Sequence, residues 1–336
     1  MNDLLIGLLS ALVATNPPAA VSNLVQKRTG LSVAVAKSTD PLERALQQLM
    51  TDDDAAQAEV DEWIKAHNLS GAKETDVEQA IFRARILRRF APVKKAYEDF
   101  LAAHPNHAEG RLAYGSFLND IGDEQAAEEH WEKAREADPK NPAAWNNLAN
   151  HYGHNGDVRK SFEYYSKAME LDPTEPVYVQ NLATTVFLFR KDAMEVYGIT
   201  EQQVFAKAMA LYHKAMALDP ENFSIAAELA QTYYGIKLPK FDDTNATRQA
   251  EQKLADEALA AWKVAQNLSR NEAEREGIHL HYARWQINTD RYSEARKSLA
   301  AVTNELWAAS KKTLVKKLDG REEAAKGTNA APAVPK

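Results

Sequence analysis

Not one of the 336 residues is a cysteine. That excludes disulfides, thiolate nucleophiles and thiolate metal sites, while leaving the compartment open. Long apolar runs are missing too. The stretch from Leu4 to Ala14 has 11 residues, well short of the roughly 20 that a membrane-spanning helix needs. There is no glycine-rich phosphate loop, no Gly-x-Ser-x-Gly elbow and no His-Glu-x-x-His pair, so nothing points to a catalytic residue. Excess positive charge is absent as well. A net charge of -7 favours solubility and argues against nucleic acid, or an acidic membrane surface, as the main partner.

What is present is a period. Pro105, Pro139 and Pro173 are spaced 34 residues apart, and Pro220 follows 47 residues later, the same period with 13 residues inserted. Asp138, Asp172 and Asp219 precede three of these prolines. A residue before proline is pushed out of the α region, so each Asp-Pro pair ends a helix. From Pro142 to Glu175 the unit carries Trp145, Leu148, Ala149, Tyr152, Tyr165, Ala168 and Pro173, with a turn at Asn155-Gly156-Asp157. The unit before it keeps Gly115, Gly122, Ala127, Trp131, Ala134 and Pro139 in the same register. Small residues let paired helices approach closely and the large ones fill the space beside them. These residues are predicted to form the repeat packing.

This register closely resembles the tetratricopeptide repeat of bacterial-type solenoids. The resemblance covers roughly residues 74–309 and implies an all-α fold, a right-handed superhelical solenoid of helical hairpins. About six hairpins are expected: a degenerate one at 74–107, clear ones at 108–141 and 142–175, two with insertions at 176–222 and 223–270, and a weak one at 276–309. A capping helix at 303–319 and a disordered tail at 320–336 would follow. Residues 31–73 read as a helical or linker region with an acidic stretch. Residues 1–30 read either as an export signal that lacks the usual positive start or as a short helical hairpin. A cytoplasmic location is favoured slightly over an exported one, and membrane association is expected, if anywhere, at that N-terminal segment.

The first insertion, with Phe187, Phe189, Tyr197 and Phe205, reads either as cover for neighbouring core or as a surface for self-association. A capping box at Thr200 and Gln203 restarts the helix. The basic stretch Arg83, Arg85, Arg88, Arg89, Lys94 and Lys95 reads as an exposed, neutralised helix face, with an anion-binding edge as the alternative. His151 and His154 stand three apart and His279 and His281 two apart, without carboxylate or cysteine partners at ligand spacing. They read as surface or ridge histidines, and neither a metal nor a cofactor is expected.

The resemblance implies a concave groove lined by the first helices. Its expected centre holds Asn146, Asn150, Gln180, Thr184 and Gln231, with Ala143, Gly153, Leu112, Ser116, Asn119 and Ala227 at equivalent positions. Asn147 and Asn181, one unit apart, are similar to the asparagine ladder in the repeat superhelix of O-linked N-acetylglucosamine transferase. An amide offers a donor and an acceptor, the complement of a peptide unit. The alternative is that these asparagines bridge neighbouring helices. Position five carries Asn146 and Gln180 where a dicarboxylate clamp would need lysine. The implied activity is a non-catalytic scaffold that binds an extended peptide or a helix of a partner protein.

Overall fold

In the computed structural model, the described residues are 40–69, 75–238 and 243–329. The expectations for residues 1–30 lie outside them, as do Pro239, Phe241 and Asp242. The described chain is helical and divides into two compact units, here residues 40–181 and 182–329.

The first unit stacks three antiparallel hairpins: α1 (Pro41–Leu69) with α2 (Asp76–Ala103), α3 (Ala108–Asp120) with α4 (Glu124–Ala137), and α5 (Pro142–His154) with α6 (Val158–Leu171). Helix α7 (Pro176–Leu188) follows. Local chemistry sets the boundaries. Asp123 and Asp157 cap α4 and α6 by accepting the backbone N–H of Ala126 and Lys160, and Asn141 caps α5 with Pro142 in its first turn. At the other ends Asp138 and Asp172 take ψ of 88° and 92°, the extended backbone that the following proline imposes. Gly122 and Gly156 turn the two clear hairpins at φ of 85° and 93°, a left-handed conformation that costs glycine little.

One hairpin differs from expectation. Residues 74–107 do not fold back on themselves: α2 is a continuous 28-residue helix that carries Pro92 within it. Its partner is α1, drawn from the stretch expected to be a helical or linker region. The reason lies in burial. Leu46, Leu49, Met50, Ala56 and Val60 of α1 join Phe90, Val93, Tyr97 and Leu101 of α2 in a core continuous with Leu112 and Phe117 of α3.

The second unit contains α8 (Arg190–Tyr197), α9 (Glu201–Leu218), α10 (Phe223–Thr232), α11 (Thr244–Asn267), α12 (Glu272–Asn288), α13 (Tyr292–Ala300) and α14 (Ala308–Asn329). Gly198 ends α8 at φ 63°, and Thr200 with Gln203 forms the capping box that starts α9. Phe187 and Phe205 are buried with ring centroids 6.0 Å apart, so these two aromatics of the insertion pack as core.

The last hairpin has no closing proline, and a carboxylate does that work. Buried Glu276 accepts the backbone N–H groups of Thr303 and Asn304 and the Thr303 hydroxyl at 2.7–2.8 Å, fixing the turn out of α13. Burial would raise this carboxyl, but the three donors hold it below the usual carboxylate range. The expected tail is corrected here. Helix α14 continues past Gly320 to Asn329, held by Arg296, which pairs with Asp319 at 2.9 Å and Glu322 at 2.7 Å.

Close approach in the repeat core is tight at Gly115. A Cβ built there would lie 2.6 Å from Trp131 and 3.1 Å from the Ala127 carbonyl, and Trp131 is itself buried with its indole N–H on the Leu112 carbonyl at 3.3 Å. Gly115→Val is therefore expected to destabilise by about 2 kcal/mol or more through overpacking. A urea midpoint unchanged from wild type would contradict this reading of the α3–α4 contact.

Candidate binding surface on the first helices

The first helices α3, α5 and α7 are the elements expected to present the groove. Within the first unit their polar side chains form a continuous chain of hydrogen bonds. Asn181 Nδ2 donates to Asn146 Oδ1 at 2.8 Å, and Asn146 Nδ2 donates to Asn147 Oδ1 at 3.3 Å. Asn147 Nδ2 then donates to Ser116 Oγ at 3.2 Å, and the Ser116 hydroxyl ends on the Leu112 carbonyl at 3.2 Å. Three helices from three successive repeats are thereby tied together through side chains. Asn146 and Asn147 are 5 % and 7 % exposed, so their amides need such partners. Asn150, half-buried, accepts the Tyr165 hydroxyl through its Oδ1.

Beside this relay lies a cavity of about 360 Å³ lined by Ser116, Asn119, Asn147, Asn150, Trp131, Asp120, Glu124, His151 and His154. Four of these were expected in the groove. The carboxylates of Asp120 and Glu124 were not, so this end of the surface is more acidic than the repeat positions alone suggest. Asp120 directly follows Asn119 at the end of α3, and that adjacency was its only sequence signal. His151, expected at a surface or ridge, is buried, with its Nε2 3.2 Å from Glu128. His154 is exposed. Among the described residues no group of three or more histidines and carboxylates could hold a metal ion.

Several equivalent positions do not reach a groove. Leu112, Ala143 and Ala227 are fully buried, and Leu112 and Ala143 belong to the core that α1 shares. A Cβ on Gly153 would meet Ser161 Oγ at 3.1 Å, so Gly153 faces its own hairpin partner α6. Gln180 and Asn181 are half-buried.

In the second unit Thr184 Oγ1 donates to Glu228 Oε2 at 3.0 Å and also lies 3.0 Å from the Tyr212 hydroxyl. Ser224 donates to the other oxygen of Glu228 at 3.0 Å. Burial, with Glu228 beside it, pushes the Tyr212 phenol well above its ordinary value, so it stays neutral. Gln231 is buried on α10. His281 is buried, lies 3.0 Å from the Tyr234 hydroxyl and stacks on Trp262 at 3.8 Å. Burial lowers it to about 3, with Arg284 adding to the effect, so the ring is neutral at physiological pH.

The packing residues fall where the register puts them, with one distinction. Leu148, Ala149, Tyr152, Tyr165 and Ala168 are buried, and Tyr152 donates its hydroxyl to Glu132 at 2.8 Å. Trp145 is only half-buried. Its indole N–H donates to the Pro139 carbonyl at 2.9 Å, clamping the turn between repeats. Pro173 is exposed and acts on the backbone of Asp172.

These features define an all-α protein of stacked helical hairpins. Models of the tetratricopeptide repeat match residues 108–151 and 142–175, so this stretch of the chain is built of tetratricopeptide repeats. Such repeats serve as protein–protein interaction scaffolds. No curated protein matches the chain. Among solved structures, MamA is 20 % identical, with 57 % of this chain and 96 % of that one covered and a TM-score of 0.41. YrrB, described as a TPR protein with an unusual peptide-binding site, is 12 % identical, covering 66 % and 99 %, with a TM-score of 0.48. PilF of Pseudomonas aeruginosa is 15 % identical, covering 75 % and 91 %, with a TM-score of 0.46.

Proposed function

We propose that the chain is a non-catalytic scaffold that holds an extended peptide, or a helix, of a partner protein against the polar surface of α3, α5 and α7. The observation that carries this reading is the amide relay. It fixes the side chains of three successive first helices in one arrangement, and a preorganised polar surface loses less entropy on binding. Asn150 and Gln180, half-buried beside it, and half-buried Asn181, its first member, supply amides that read a peptide backbone without demanding a particular side chain. Asp120 and Glu124 favour a ligand with a basic residue at that end.

Asn147 tests this poorly, because its loss strands Ser116 and Asn146 and costs stability of its own. The sharper variant is Gln180→Ala with Asn150→Ala. Affinity capture from native cells supplies the partner, and a peptide scan of that partner supplies the ligand. The double variant is expected to weaken the ligand by about tenfold, one to two hydrogen bonds' worth. Asn150→Ala also takes an acceptor from the buried Tyr165 hydroxyl, so affinity is read at a temperature where circular dichroism shows the variant folded. Unchanged affinity would put the ligand elsewhere.

A further inference from the structure

Helix α2 carries two apolar faces. One is buried through Phe90, Val93, Tyr97 and Leu101. The other is made by Val77, Ala80, Ile81, Ala84, Leu87 and Ala91, which recur at three- and four-residue spacing and share one side of the helix. All six are exposed. Val77, Ile81 and Leu87 are 67 %, 64 % and 62 % exposed, a seam about 21 Å long at 1.5 Å per residue. An apolar seam left open on a helix marks an interaction surface.

The borders of the seam say what fits it. Arg83, Arg88 and Lys94 line it and make no ion pair among the described residues, whereas Arg89 is paired with Glu59 at 2.6 Å and Lys95 with Asp99 at 2.8 Å. The basic stretch is thus only partly neutralised: Arg85, which also makes no ion pair among the described residues, lies over the Trp63 ring at 3.8 Å, whereas Arg83, Arg88 and Lys94 remain beside the seam. We propose that this face of α2 docks an amphipathic helix of a partner protein whose own apolar seam is flanked by glutamate or aspartate. The alanines let a second helix approach closely, and the unpaired bases meet its acidic flanks, as flanking charges do in coiled coils.

Two other occupants fit less well. Pairing with a second copy about a two-fold axis near Ala84 brings Arg83 against its own counterpart, a like-charge contact. An anionic lipid surface would meet Asp76 and Glu78, which flank Val77 at the start of the seam, and half of the seam is alanine, which offers a bilayer little area. This surface is independent of the amide relay.

The test uses the full chain and two fluorescent helical peptides of about 20 residues with the same leucine and alanine seam, one flanked by glutamate and one by lysine. The glutamate peptide is expected to bind at least about tenfold more tightly. Arg83→Glu with Arg88→Glu should invert that preference. Ile81→Asp with Leu87→Asp should abolish binding of both, and because these side chains are exposed the circular dichroism should not change. Equal affinity for the two peptides, or no saturation by the glutamate peptide up to about 1 mM, overturns the proposal. So does sedimentation with phosphatidylglycerol vesicles, or a dimer in light scattering, that the Ile81→Asp, Leu87→Asp variant loses.

Discussion

Replacing Trp262 with alanine should lower the stability of the 182–329 unit by about 3–5 kcal/mol, the range for losing a buried large aromatic. Trp262 on α11 is fully buried among Ala226, Ala230, Ile278 and Trp285. Its ring lies parallel to His281 at 3.8 Å and 14°. Its indole N–H has no hydrogen-bond partner among the described residues, so the substitution removes chiefly packing and stacking. Each hairpin in such an array is stable mainly against its neighbours, so the loss should spread into α10 and α12 as faster amide exchange. Trp262→Phe should recover most of the deficit. A Trp262→Ala variant within about 1 kcal/mol of wild type would mean that this core collapses around the gap, contrary to the packing described.

The second large effect depends on pH. Asp53 of α1 is 8 % exposed and accepts the Tyr97 hydroxyl at 3.0 Å. Burial pushes its carboxyl from 3.8 up to about 7, with Asp120 and Asp54 adding to the rise and the Tyr97 hydrogen bond opposing it. The folded state therefore binds this proton more tightly than the unfolded chain does. Its contribution is complete below about pH 4 and is lost as pH rises through about 7. Asp53→Asn keeps an acceptor for Tyr97 and removes the charge. The variant should match wild type near pH 4 and exceed it above pH 7, by about 2–4 kcal/mol for a shift of this size. Parallel stability curves from pH 4 to 8 would show that Asp53 ionises without penalty.

Much of this architecture is legible in the sequence because it rests on backbone chemistry. Asp138, Asp172 and Asp219 end helices where the Asp-Pro spacing puts them, and Gly122 and Gly156 turn hairpins where the register asks for glycine. The first hairpin was hidden because its partners are matched by tertiary contacts, with no repeat signature to announce them. Helix α1 has no closing proline, and Pro92 looks like a break yet lies inside α2. The extension of α14 was hidden for a similar reason, since its anchors, Arg296 and Asp290 (the latter paired with Arg321 of α14 at 3.4 Å), are distant in sequence. The asparagine rungs show a finer limit. Spacing aligns Asn147 with Asn181, but Asn181 bonds Asn146, while Asn147 turns the other way to Ser116. A period gives the residue type at each rung, and only the packed helices decide which neighbour it meets.

The most direct test of the scaffold reading is a side-chain amide NMR spectrum of the labelled full chain, recorded with and without the captured ligand peptide. If the relay surface receives the peptide, the amide resonances of Asn150, Gln180 and Asn181 shift on titration. Those of Asn146 and Asn147 stay dispersed and protected throughout. Saturable binding that leaves all five unmoved would contradict the account and remove the first helices as the binding surface.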